Sequence, residues 1–222
     1  MRIRSFIVAY ALILAILLFA DRRPGSAKSA RYSHVVDLTE GPRPSKSLDT
    51  ASDSKTRIIA PDSLIPGTWA AGQIPPERLI APLVVMDLNS PSEAGSQISL
   101  DDIALWESQH GMIPQGALVA VRRANNPASL ALTGPTASFP VTRDAAQFLI
   151  DARYTIGFAV ETNVDLASDR TLARQLALHG NYVVETATQF AALPATGSLI
   201  IVAPEKNVKR GEGPVRILAM VR

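Results

Sequence analysis

Leu83-Val84-Val85-Met86-Asp87-Leu88 is a short apolar run interrupted by one acid and closed by Asn89-Ser90-Pro91. A β-rich run of that length, bounded by turn residues, reads as a buried strand. The next segment, Ser99–His110, reads as a helix. Ser99 can cap it, Asp101 and Asp102 suit its positive N-terminal end, and Gly111 supplies a left-handed stop. Ile103 and Trp106 fall on one face at i, i+3 spacing. Ala117–Val121 is again a buried strand. The alternation continues with a helix over Thr142–Arg153, a strand over Thr155–Val160 and a helix over Ser168–His179, capped by Ser168 and stopped by Gly180. Tyr182–Val184, Leu199–Val202 and Val215–Val221 are the remaining strands of this half. Alternating strands and helices predict a mixed α/β domain and argue against a bundle or a sandwich.

The N-terminal half is richer in strand and loop. His34-Val35-Val36 is a first strand, and Glu40–Asp53, with its Pro, Ser and Lys, reads as a loop. Arg57-Ile58-Ile59-Ala60 is a short strand stopped by Pro61. Ile65–Pro76 is punctuated by Pro and Gly and reads mostly as loop, followed by one turn at Pro76–Leu79.

The chain has 222 residues, of which 47% are hydrophobic. That is enough to bury a substantial core in one domain, and it excludes a disordered or multi-span membrane chain. With no cysteine, disulfide frameworks, thiolate zinc sites and cysteine nucleophiles are excluded. The three histidines leave few imidazole ligands for a metal.

Met1–Arg4 is basic, and Ser5–Ala20 is uncharged and rich in Leu, Ile and Ala. The run suits a signal peptide ending near Gly25-Ser26-Ala27. The alternative is an uncleaved N-terminal membrane anchor, favoured by Arg22 and Arg23 on its far side. Residues 1–27 are therefore expected to be an export or anchoring segment and residues 31–222 the domain, placed in the periplasm or secreted. Cleavage after Ala27 would remove four of the 22 basic residues and one of the 20 acidic ones, leaving a net charge of −1. The pI near 9.1 thus reflects the leader. Aromatics make up 5%, no basic stripe interleaves them, and nucleic-acid binding is not expected.

The sequence carries no Gly-x-Ser-x-Gly elbow, phosphate loop, His-Glu-x-x-His or EF-hand. His34 opens a strand. His110 and His179 each precede a glycine at a helix end, where an imidazole complements the helix dipole. Asp87, Glu161 and Glu185 each follow a strand, the position where ligands bind in α/β folds.

Longer stretches resemble a known family. Ile74–Leu88, then Ile98-Ser99-Leu100-Asp101-Asp102 through Trp106-Glu107 and His110-Gly111-Met112-Ile113-Pro114-Gln115-Gly116-Ala117, are similar to segments of the cyclase superfamily, which includes bacterial kynurenine formamidase (arylformamidase). Val183-Val184-Glu185, Leu193-Pro194-Ala195-Thr196-Gly197, Val202-Ala203-Pro204 and Gly211-Glu212-Gly213-Pro214-Val215-Arg216 resemble its closing stretch in order, and Asp37-Leu38-Thr39 its opening strand. The resemblance implies an α/β fold of the swivelling β/β/α type: a mixed sheet forming a small β-barrel-like core with flanking helices, in a homo-oligomer. It also implies amide hydrolysis with zinc or manganese, held by His-x-Gly-Thr-His-x-Asp-x-Pro-x-His and a later His and Glu.

This chain departs from that signature. Anchored on Pro61, the first His position is Asp53, the Gly-Thr pair is Lys55-Thr56 and the second His is Arg57. The Asp falls on Ile59 and the last His on Ser63. The later His falls on Ala173, beside Arg174, and only Glu185 keeps a ligand type. The family's other strand-end acid falls on Glu161, with Asp165 further on. An arginine at a ligand position brings fixed positive charge, and isoleucine brings no lone pair.

The expected function is thus an exported cyclase-like binding or interaction protein without the family's metal-dependent reaction and without a resident cofactor. Arg57, Asp53 and Asp165 would line its ligand site, Arg57 would pair with Glu185 or Glu161, or meet a small anionic or amide ligand, and Glu185 would be the only surviving metal ligand type. The alternative is a hydrolase of N-formyl or other amide substrates with a rebuilt site, Glu185 and Glu161 being its catalytic candidates and Zn or Mn its metal. A third reading is an inactive partner subunit of an active relative.

Overall fold

The structure, a computed structural model, describes residues 32–40, 56–88, 96–123, 137–206 and 211–222. The elements below all belong to one compact unit, Ser33–Arg222. The expected export segment, Asp53, and the loop beyond Glu40 lie outside the described residues. Among the described residues no helix is long and apolar enough to cross a membrane.

Eight strands form one sheet: β1 (His34–Asp37), β2 (Arg57–Ile59), β3 (Ile80–Asp87), β4 (Leu118–Arg122), β5 (Gly157–Val160), β6 (Tyr182–Glu185), β7 (Ser198–Pro204) and β8 (Glu212–Val221). Strands β3, β4, β5 and β6 run parallel, the arrangement that needs a crossover between each pair. Those crossovers carry α2 (Leu100–His110), α3 (Arg143–Arg153) and α4 (Arg170–Leu178). A single helical turn, α1 (Pro61–Leu64), starts at the Pro61 expected to stop β2 and precedes the stretch read as loop.

Seven strands close into a ring in the order β8-β2-β6-β5-β4-β3-β7, and the antiparallel β7–β8 pairing seals it. One edge of β8 serves both β2, along Glu212–Pro214, and β1, along Leu218–Val221. Its other edge takes β7. Strand β3 starts three residues earlier than its apolar run and includes Pro82. Pro82 pairs only with Leu199 of β7, since the pairing to β4 begins at Leu83. With one side free at that point, the missing N–H costs no ladder bond there.

The two-residue period of the strands separates two cores. Inside the ring lie Leu38, Ile58, Leu83, Leu118 and Tyr182, with Ala81, Ala120, Ala159 and Ala219 between them. Small residues among large ones fit the taper of a narrow barrel. Outside, Val84, Val119, Phe158 and Val183 meet Ile103, Trp106, Leu149 and Leu176 of the three helices. Each such fully buried side chain stabilises by about 1.5–3 kcal/mol.

Caps and stops follow the expected chemistry, with one correction. Ser99 and Asp102 form a reciprocal capping box on α2, and Gly111 ends it at φ 87°. Thr142 caps α3. Helix α4 is capped by Asp169, not by the expected Ser168. The Asp169 carboxylate accepts from the Thr171 and Leu172 amides, while the Ser168 hydroxyl donates back to the Asp165 carbonyl. The histidines behave as the helix ends predict. His110 Nδ1 meets the Trp106 carbonyl at 3.0 Å, and His179 Nδ1 the Gln175 carbonyl at 2.9 Å.

Candidate active-site cleft on the outer face

Arg57, Glu185 and Glu212 come together through strand register. Arg57 stands opposite Glu185 on one neighbour and opposite Pro214 on the other, while Ile59 stands opposite Glu212. Directly paired residues share a face, and positions two apart along a strand share it too. Ile59 and Val183 belong to the outer core, so Arg57, Glu185 and Glu212 project on the outer side of the ring.

Beside them is a cleft of about 590 Å³ between β2, α1, the loop after β5 and α4. That volume suits a small molecule. Ile59, Ser63, Ala173 and Arg174 line it, and Glu212 closes one end. Three of the positions assigned to the family's ligands from the sequence, Ile59, Ser63 and Ala173, thus line one cleft, and none of them carries a ligand side chain of the signature.

Glu212 organises this end of the cleft. Its Oε2 accepts from Arg57 Nη2 at 3.1 Å and its Oε1 from the Ser63 hydroxyl at 2.7 Å. Two side chains at imidazole positions thus hold a carboxylate between them. Ser63 is fixed by close backbone contact: a Cβ on Gly211 would lie 2.2 Å from the Ser63 nitrogen, and Gly211 accepts from the Ala60 amide. The expected pairing of Arg57 with Glu185 or Glu161 is corrected. Glu212 takes the guanidinium because both of its oxygens have donors there, whereas Glu185 turns to the backbone.

Glu185 is 8% exposed, and its Oε1 accepts from the Val164 amide at 2.7 Å. Burial is the main cause that raises its carboxyl above the ordinary glutamate value. The Val164 hydrogen bond opposes the rise, Glu212 adds to it, and Arg57 lowers it. Asp165 lines the cleft from the same loop, with its Oδ1 held by the amides of Ala167 and Ser168.

Glu161 belongs elsewhere. Its Oε2 accepts from the Arg123 amide at 2.7 Å, and burial raises its carboxyl too. The charges that act on it are Arg122, Arg123 and Asp87, none of which acts on Glu185. Arg122 is bidentate to Asp87 and also donates to the carbonyls of Phe190 and Leu193. This second cluster ties the ends of β3 and β4 to the turn at Phe190–Ala192. The two candidate glutamates therefore sit among different charged neighbours.

Thr56, a retained signature residue, is fully buried. Its hydroxyl donates to the Thr186 carbonyl at 2.8 Å and accepts from the Glu40 amide at 2.7 Å. These two bonds join three segments of chain.

Carboxylates at strand ends beside a cleft occupy the place where α/β folds bind ligands. The family described as "Putative cyclase" matches residues 17–165, and the chain belongs to this cyclase family. It is 32% identical over 163 residues to an isatin hydrolase of Roseibium aggregatum, covering 65% of this chain and 61% of that curated relative. The chain thus spans under two thirds of that relative's length. Isatin hydrolase A from Ralstonia solanacearum superposes with a TM-score of 0.68 at 24% identity, over 85% of this chain and 92% of that one. Isatin hydrolase A from Labrenzia aggregata, bound to benzyl benzoate, gives 0.67 at 25% identity, over 91% and 98%. A structure titled as a potential metal-dependent hydrolase with cyclase activity gives 0.62 at 23% identity, over 85% and 98%. The swivelling barrel-and-helix fold expected from the sequence is the fold of these neighbours.

The neighbour described as metal-dependent implies a metal ion, and the described side chains around the cleft do not fit one. Among the described residues no three of His, Cys, Asp or Glu are grouped to hold a metal. Around the cleft, Glu212 is committed to Arg57 and Ser63, Glu185 to Val164, and no imidazole is present. Zinc sites need three or four converging donors, and three arginines at or beside the cleft oppose a cation.

Proposed function

We propose that this chain hydrolyses the amide bond of a small cyclic or N-acyl substrate bound in the outer cleft, using its own side chains in place of a metal. The observation that carries this reading is Glu185: a buried carboxylate in register with Arg57 and bonded through Oε1 to the amide of Val164, a cleft-lining residue, with its proton affinity raised by that burial. The family, and relatives that bear the name isatin hydrolase, support the reaction class.

In this reading Glu185 Oε2 takes a proton from water, and the hydroxide so formed adds to the amide carbonyl carbon. The oxyanion faces the remaining N–H donors of Arg57, which stands directly across from Glu185. The carbon–nitrogen bond then breaks, and the proton on Glu185 passes to the departing nitrogen. The products are a carboxylic acid and an amine. A base with a raised pKa is the better matched to this task at neutral pH. The N-terminal apolar run supports an exported setting, which fractionation that finds the chain in the cytoplasm would remove.

The test is turnover of isatin and of an N-formyl arylamine by the purified chain, in chelator and with added Mn²⁺ or Zn²⁺. Glu185→Gln is expected to lower kcat by about 10²-fold or more. Absence of turnover in every condition, or an unchanged Glu185→Gln enzyme, would refute the reading. The ion pair at the metal locus favours a second reading, a binding protein without turnover, which those null results would support.

A further inference from the structure

The two basic residues on the helical wall of the cleft have no role in the chemistry above. Arg170 and Arg174 lie at i, i+4 on α4, so they share a helix face, and both line the cleft. Both are exposed to it, and neither has an ion-pair or hydrogen-bond partner among the described residues. Two arginines nearby do have one. Arg57 holds Glu212, and Arg143 holds Asp169 at 2.9 Å.

The carboxylates that line the cleft have hydrogen-bond partners of their own. Glu212 has both oxygens occupied, and Asp165 turns Oδ1 to two backbone amides. The cleft is also lined by apolar Ile59, Leu64, Ile65, Val164 and Leu166. The cleft therefore offers the free guanidinium donors of Arg170 and Arg174 together with an apolar lining.

We propose that Arg170 and Arg174 bind the carboxylate of a ligand whose body is apolar, so that the cleft takes small aromatic or alicyclic acids. Guanidinium is suited to this, because its planar donor fork matches a carboxylate in two parallel hydrogen bonds. The inference rests on the cleft being the substrate site. It adds the substrate class: an amide that already carries a carboxylate, oriented with that group toward α4 and its amide toward Glu185.

The experiment is calorimetric titration of the full chain with benzoate and, as an uncharged isostere, benzamide. The variants are Arg170→Gln, Arg174→Gln, their combination, and Arg216→Gln. Arg216 pairs with Asp37 outside the cleft and controls for loss of a charge. Benzoate is expected to bind the unmodified chain and the Arg216→Gln variant alike. Benzamide, and benzoate with the double variant, are expected to bind at least about tenfold more weakly. Circular dichroism reports whether the variants fold, and the single variants serve if the double one does not.

Equal affinity for benzoate and benzamide would overturn the proposal. So would benzoate binding that survives loss of both arginines, or no benzoate binding at millimolar concentration. The hydrolase reading fails separately. A chain that binds benzoate through these arginines yet turns over no amide keeps the anion site and loses the reaction. A chain that hydrolyses isatin but does not bind benzoate keeps the reaction and loses the anion site.

Discussion

Replacing Glu212 with glutamine separates two roles of one side chain. The amide oxygen still accepts the Ser63 hydroxyl, which donates to Oε1 at 2.7 Å in the native site. The ion pair to Arg57 at 3.1 Å is lost. That pair is about half exposed, with side-chain accessibilities of 51% and 47%, so water already screens it. Exposed pairs contribute roughly 0.2–1 kcal/mol, and Glu212→Gln should cost no more than about 1 kcal/mol of stability. The electrostatic effect on Glu185 should be the larger one. Glu212 raises the Glu185 carboxyl, and Arg57 lowers it. Removing the first and freeing the second must both move the Glu185 titration to lower pH. Urea unfolding measures the first quantity. Carboxyl ¹³C titration, assigned by Glu185→Gln, measures the second. If unfolding shows a loss above about 3 kcal/mol, the pair is not the screened contact described. If Glu185 titrates at the same or higher pH, Glu212 and Arg57 are not its electrostatic neighbours.

The structure makes further predictions away from the cleft. Gly157→Ala would set a Cβ 2.5 Å from the Tyr182 carbonyl and 3.1 Å from its ring, inside the barrel. Overpacking of this kind should cost about 1–3 kcal/mol or more, read as a fall in Tm, and an unchanged Tm would show that β5 and β6 lie further apart. Glu107, which joins α2 to Arg153 of α3, has its carboxyl held below the ordinary value, chiefly by the Arg153 hydrogen bonds at 2.7 and 2.8 Å. A lowered native pKa stabilises the fold above the unfolded pKa, and the contribution disappears as pH falls through the native one. Glu107→Gln should therefore cost about 1–3 kcal/mol near neutrality and almost nothing in acid, and a deficit independent of pH would contradict the pairing.

The local elements were legible because they depend on local chemistry. Ser99 and Gly111 mark the ends of α2 through a cap and a positive φ, both written in residue type. The closed ring was not legible from periodicity. Its closure needs β7 against β8 and β2 between β6 and β8, pairings between segments far apart in sequence. The family resemblance supplied that part. It also placed Ile59, Ser63 and Ala173 correctly on one cleft, because backbone positions outlast the side chains they carry. Glu212 escaped notice as a site residue. It lies in the Gly211–Arg216 stretch that resembles the family, and its contact with Arg57 comes from cross-strand register, which a single sequence does not reveal. Glu161 and Glu185 looked equivalent as strand-end acids. They differ in their neighbours, Arg122 and Arg123 for one and Glu212 and Arg57 for the other.

Strand β8 touches the first, second and seventh strands at once, and His34 lies in register with Val221. Those contacts join segments far apart along the polypeptide, so the loop entropy of sealing the ring falls late in assembly. During synthesis, the strands before β8 must wait with β2 lacking one neighbour and β1 lacking its partner strand altogether. Until the last strand emerges from the ribosome the nascent chain exposes open sheet edges, the state in which chaperone binding and aggregation compete with folding.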